Sequence, residues 1–158
     1  MCGMAQILWF VKRFPFWTAV GVFAVVGFIF RDYFSGSVND LRLGDCFDRP
    51  SNLSATVKDV QHHPCSDMHH AEVFFVGNLA SDSGSAYPAD ATLNSFIENQ
   101  CVPAYRTYTG RDFDSDKTYD IYYFSPTEDG WKKGDHTIDC FLTRADGQSF
   151  QGSVRVAH

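Results

Sequence analysis

The sequence predicts an α+β protein: one N-terminal transmembrane helix, then a disulfide-braced, mostly antiparallel β domain carrying one principal helix. Three observations lead there. The first is an uncharged apolar run, "FPFWTAVGVFAVVGFIF", from Phe14 to Phe30, with Thr18 as its one distinctly polar side chain. The second is a set of Val-, Phe- and Tyr-rich segments of strand length separated by turn residues. The third is four cysteines placed after the apolar run, an even number that reads as two disulfides if that part of the chain is exported.

The apolar run fixes the organisation. Seventeen residues rising about 1.5 Å each cover about 25 Å, close to the lower limit for a hydrocarbon core of about 30 Å. Pro15 suits the first helical turn and Trp17 the membrane–water boundary. Lys12 and Arg13 precede the run, and basic flanks stay in the cytoplasm, so the C-terminal part is expected outside. A cleaved signal peptide is the competing reading, with "SGS" at Ser35 to Ser37 as a small-residue site. The run is too long and stays bulky too close to Arg31 to favour it. The expected layout is therefore residues 1–13 cytoplasmic or interfacial, 14–30 the transmembrane helix, 31–40 a polar linker and 41–158 the extracytoplasmic domain.

From Arg31 onward the eleven remaining Lys and Arg stand against all nineteen Asp and Glu, a surplus of eight negative charges. That balance argues against nucleic acid and anionic lipid head groups as partners, since both need a basic footprint. Cys46, Cys65, Cys101 and Cys140 allow three pairings. The nested one, Cys46 with Cys140 and Cys65 with Cys101, is weakly preferred because it would tie the first strand to a late strand and the helix to the turn after Pro64. Sequence alone leaves the others open.

Within the domain, "LRLGDCF" (41–47) reads as a strand interrupted by Gly44, and "ATVKDVQ" (55–61) and "AEVFFVGNL" (71–79) read as two strands of a meander. Leu93, Phe96, Ile97 and Cys101 recur at helical spacing, with Pro103 expected to kink or end the helix and a turn to follow as far as Gly110. "TYDIYYFSP" is a strand, "TEDGWKKGD" a turn and "HTIDCFLTR" a strand. "ADGQ" signals a hairpin into "SFQGSVRVA". Alternation puts one set of Tyr119, Tyr122 and Tyr123 outward as a candidate protein contact surface.

The stretch His62 to Phe74, "HHPCSDMHHAEVF", raises the question of chemistry. Zinc or copper held there would draw on His62, His69, His70 and Glu72, but their spacing matches no standard site, and an oxidised Cys65 has no thiolate to offer. A cysteine nucleophile with His69 as base needs a free, low-pKa thiol. Neither paired carboxylates, a nucleophile elbow, a phosphate loop nor a Cys-x-x-Cys motif is present. The structural reading is that Pro64 stiffens a turn, Cys65 locks it, and His69 hydrogen-bonds a neighbouring carbonyl or Glu72 ahead of the strand. Trp131 is expected to pack in the core or at a sheet edge. No enzymatic activity and no cofactor is expected.

Taken in order, "LRLGDCF", "VKDVQHHPCSDMHHAEV", "YPADATLNSFIENQCVPAY", "GWKKGDHTIDCFL" and "GSVR" resemble the septum formation-related domain of actinobacterial envelope proteins. The resemblance covers about Leu41 to Arg155. It places Gly44, Asp45, Cys46, Cys65, His69, Glu72, Cys101, Trp131, Gly134, Asp135 and Cys140 on motif positions, while His62 and His63 are peculiar to this chain. It implies membrane tethering and envelope or division work without an established catalytic activity. The function expected is that of a membrane-anchored accessory or scaffold protein docking on protein subunits of a larger membrane complex, either cell division and cell wall machinery or a respiratory supercomplex. The alternative is an extracytoplasmic metal- or ligand-binding module built on the His62–His70 loop.

Overall fold

The computed structural model describes residues 35–52, 56–79 and 86–157. The expected transmembrane helix, 14–30, lies outside them. No helix among the described residues is long and apolar enough to cross a membrane.

Eight strands and three helices follow in chain order: β1 (Ser35–Ser37), β2 (Cys46–Phe47), β3 (Asp59–His63), β4 (Met68–His69), β5 (Ala71–Asn78), α1 (Asp90–Phe96), α2 (Val102–Thr109), β6 (Tyr119–Phe124), α3 (Glu128–Lys132), β7 (Thr137–Arg144) and β8 (Phe150–Gln151). A six-stranded antiparallel sheet runs in the order β1-β3-β2-β5-β7-β6, and β4 pairs with β8 in a separate two-stranded ribbon.

β7 is the strand that organises both faces. Its Ile138, Cys140 and Leu142 point toward the helical layer and join Phe74, Leu93, Tyr105, Tyr108 and Phe150. Phe141 points the other way, onto Phe47, Val60, Ala71 and Val73. This is the period-two alternation of a strand buried on both sides. Phe141 meets the rings of Phe124, Phe47 and Tyr122 at centroid distances of 4.6, 5.3 and 6.0 Å. In β5 the register shifts between Val73 and Phe75, a bulge that sends Phe74 and Phe75 both toward the helices.

Several expectations are corrected. Residues 35–40 are not all linker, because Ser35–Ser37 pair with Asp59–Gln61 and Val38–Asp40 form a 3-10 turn with Val38 buried. The segments around 55–61 and 71–79 are not adjacent in a meander. β2 lies between β3 and β5, with Cys46 opposite both His63 and Glu72. The helix does not stop at Pro103. One turn of π-helix over Ile97–Cys101, closed by Val102 N donating to Ile97 O, widens the backbone where the proline ring would meet the preceding turn. α2 then continues to a left-handed cap at Gly110, φ 69°. "TEDGWKK" holds the short α3, capped by Thr127 Oγ1 accepting from Gly130 N at 3.0 Å. The turn at Asp146–Gly147 does not return a strand onto β7, since β8 crosses to pair with β4.

Disulfides and a candidate structural site

The disulfides are Cys46–Cys65 and Cys101–Cys140, which overturns the nested pairing. The strand order gives the reason. Cys46 on β2 and Cys140 on β7 have β5 between them, a lateral separation of about 9.5 Å at the usual strand spacing, beyond the reach of a disulfide. Cys46 instead stands opposite His63, and the turn two residues later brings Cys65 to a Cα separation of 5.3 Å. Cys140 points to the helical face and meets Cys101 at the end of the π-turn, Cα to Cα 6.2 Å.

Beside the first disulfide sits a buried carboxylate with three hydrogen-bond donors. Glu72 is fully buried on the helix-facing side of β5. It accepts from Tyr108 Oη at 2.6 Å, from Val154 N at 2.9 Å and from Ser153 Oγ. One carboxylate thus joins the sheet, α2 and the C-terminal segment, and three donors offset the cost of burying it. Burial, followed by the hydrogen bond to Glu72, pushes the Tyr108 hydroxyl well above its ordinary value, so Tyr108 stays protonated and donates to the carboxylate.

His69 is also fully buried. Its Nδ1 donates to Asp67 O at 2.9 Å and its ring stands edge-on to Phe150 at 4.2 Å. The expected carbonyl bond is therefore present, while Nε2 is buried with no hydrogen-bond partner among the described residues. Pro64 O accepts from Asp67 N at 2.8 Å, closing the turn that carries Cys65. Gly44, φ 90°, donates its N–H to Val73 O at 2.8 Å, and Asp45 O accepts from Val73 N at 2.9 Å. These two motif residues extend β2's contact with β5.

The four histidines separate. His69 turns inward, and the ring of His62 lies where a Cβ on Gly36 would come within 2.9 Å. His63 and His70 converge on a residue outside the stretch: His63 Nε2 meets Asp48 Oδ2 at 2.9 Å and His70 Nδ1 meets Asp48 Oδ1 at 2.8 Å. Burial alone would raise the Asp48 carboxyl, but the two histidine hydrogen bonds outweigh it and hold the group below 3.8. The sequence offered no signal for Asp48, which reaches the histidines only because β2 is threaded between β3 and β5. The candidate metal set His62, His69, His70 and Glu72 is not brought together. Among the described residues, the one group of potential ligand atoms within 4.8 Å of one another is Cys46, His69 and Glu72. Its sulfur is in a disulfide and both oxygens of its carboxylate are taken.

The remaining motif residues frame α3. Trp131 is buried against Tyr87 and His136 at 6.0 and 4.1 Å. Gly134, φ 92°, turns the chain, and Asp135 Oδ1 accepts from Thr137 N at 3.1 Å as β7 begins. Two residues on, Asp139 is buried with Oδ1 unpartnered, and burial, with the nearby Asp135 charge, pushes its carboxyl up to about 7.

Fold and site together define a small disulfide-stapled α+β domain whose motif residues Glu72 and His69 face inward. The chain matches the family model described as septum formation over residues 43–158, and it belongs to that family. It is 27% identical over 115 residues to uncharacterized membrane proteins of Mycobacterium tuberculosis strains CDC 1551 and H37Rv, an alignment covering 68% of this chain and 25% of each relative. The chain thus spans about a quarter of the length of the curated relatives it matches. No solved structure matches it.

Proposed function

We propose that this chain is a non-catalytic, membrane-anchored adaptor: a span at 14–30 holds it in the bilayer and the stapled domain docks outside on a larger envelope complex. The observation that carries the reading is the use made of the motif residues. Glu72, His69, Trp131 and the Cys101–Cys140 disulfide are buried, Cys46–Cys65 is buried at its Cys46 end, and the disulfides and Glu72 tie segments to one another, which is the design of a rigid platform rather than of a site open to substrate. Membership of the septum formation family and the membrane-protein relatives favour the cell envelope as the setting. Division or cell wall machinery is the first candidate partner and a respiratory supercomplex the second.

Purification of the untagged chain from its native membrane in mild detergent, followed by native mass spectrometry, tests the reading. A stoichiometric membrane complex is expected. Recovery of the chain alone, with turnover of a substrate or with a metal mass removed by chelator, contradicts it.

A further inference from the structure

Beyond Val73 the outer edge of β5 has no strand beside it among the described residues. β2 covers only Ala71 and Glu72, and the loop at Gly44 and Asp45 closes on Val73 alone. From Phe75 to Asn78 the strand pairs with β7 on one side, and among the described residues nothing pairs with its other side. An edge of this kind leaves alternate N–H and C=O groups pointing out, ready to bond an added strand.

A groove of about 340 Å³ runs along this edge, with Ala104 and Thr107 of α2 as one wall, Phe75 and Val76 as the other and Leu43 at its rim. Leu43 and Val76, large apolar side chains that both line the groove, are 49% and 39% exposed. Arg155 also borders the groove, its guanidinium 5.6 Å above the Tyr108 ring. Among the described residues no carboxylate pairs with it. On a chain of net charge −6, a cation beside an apolar groove selects for a carboxylate that the rest of the surface would repel.

We infer that this edge is the docking site for an extended segment of a partner protein, bound by strand addition to β5, with alternate apolar side chains in the groove and an acidic group on Arg155. Open main-chain groups supply generic affinity, while the apolar wall and the single cation supply register and selectivity. Phe75 to Asn78 spans room for about four or five residues of an added strand at about 3.4 Å each. The inference rests on the adaptor reading for its physiological occupant.

The test uses the full chain in detergent micelles against a phage-displayed library of random heptapeptides. Enriched peptides are expected to alternate apolar residues and carry an Asp or Glu. Their binding should slow amide exchange among Phe74–Asn78 by more than about tenfold, and Arg155→Glu and Leu43→Ser, both at exposed positions, should each weaken affinity by about tenfold or more. The inference is overturned if no peptide is enriched, or if enriched peptides leave those amides unprotected or are indifferent to both variants. It is also overturned if the amides are protected without peptide: at every concentration, which means the chain covers its own edge, or only at high concentration, which means a second copy does. Failure of the adaptor reading is separate. It shows as absence of a co-purifying complex, whereas a complex that survives Arg155→Glu and Leu43→Ser together sinks the groove alone.

Discussion

At the residue scale, Glu72 and Asp139 show opposite treatments of a buried carboxylate. Glu72 has three donors, so Glu72→Ala leaves the buried Tyr108 hydroxyl without its acceptor, at about 1–3 kcal/mol, and strips the partly buried bonds from Ser153 Oγ and Val154 N as well. The expected loss is at least about 3 kcal/mol in urea unfolding followed by circular dichroism. Asp139 Oδ1 has no such partner among the described residues, and its carboxyl is raised from 3.8 to about 7. An acid raised in the folded state binds its proton more tightly there than in the unfolded chain. Its contribution to stability therefore declines as pH rises from about 4 to about 7. Asp139→Asn removes that titration, so the stability of the variant relative to the parent should improve steadily across the same interval, by about 2–4 kcal/mol in all. A difference that stays flat with pH would show that Asp139 is not held protonated. His69 was legible in the sequence as a turn-fixing residue. Asp48 was not, because its partners lie on other strands and no local spacing links them.

At the scale of elements, β5, β6 and β7 could be read directly from their Val, Phe and Tyr content, and the helical spacing of Leu93 to Cys101 from its period. What escaped is instructive in physical terms. β2 has two residues, too few to show alternation, yet it decides the strand order and through it the disulfides. Pro103 reads as a stop signal, but the π-turn ahead of it lets the helix pass. Thr127, followed by two acidic residues, is a helix start signal of the kind that marks α3, and it was present to be read. The helix ends at Gly110 for two reasons. Its φ of 69° suits glycine, and a Cβ there would come 2.9 Å from Val156 Cγ1. Gly110→Ala should cost about 1–2 kcal/mol, measured as a drop in the urea midpoint at unchanged m-value. A neutral outcome would mean that the cap and the C-terminal segment are not packed together as described.

At the scale of the whole molecule, the two staples divide the work. Cys46–Cys65 closes 19 residues and ties β2 to the histidine turn, and Cys101–Cys140 closes 39 and ties the helical layer to the central strand. By chain entropy they contribute about 3 and about 4 kcal/mol, a large share of the net stability of a domain this size. Cys65 is partly exposed while Cys101 and Cys140 are fully buried. Graded reduction should therefore open Cys46–Cys65 first, and simultaneous opening would contradict the layering. Disulfides in turn require an oxidising compartment, and that requirement links the fold to the export expected from the basic flank at Lys12 and Arg13. The most direct measurement is peptide mapping, without reductant, of chain alkylated as it leaves its native membrane. The expected linked pairs are Cys46–Cys65 and Cys101–Cys140, with Cys2, which precedes the expected span on its cytoplasmic side, alkylated. Alkylation of the four domain cysteines would place the domain in a reducing compartment and contradict it.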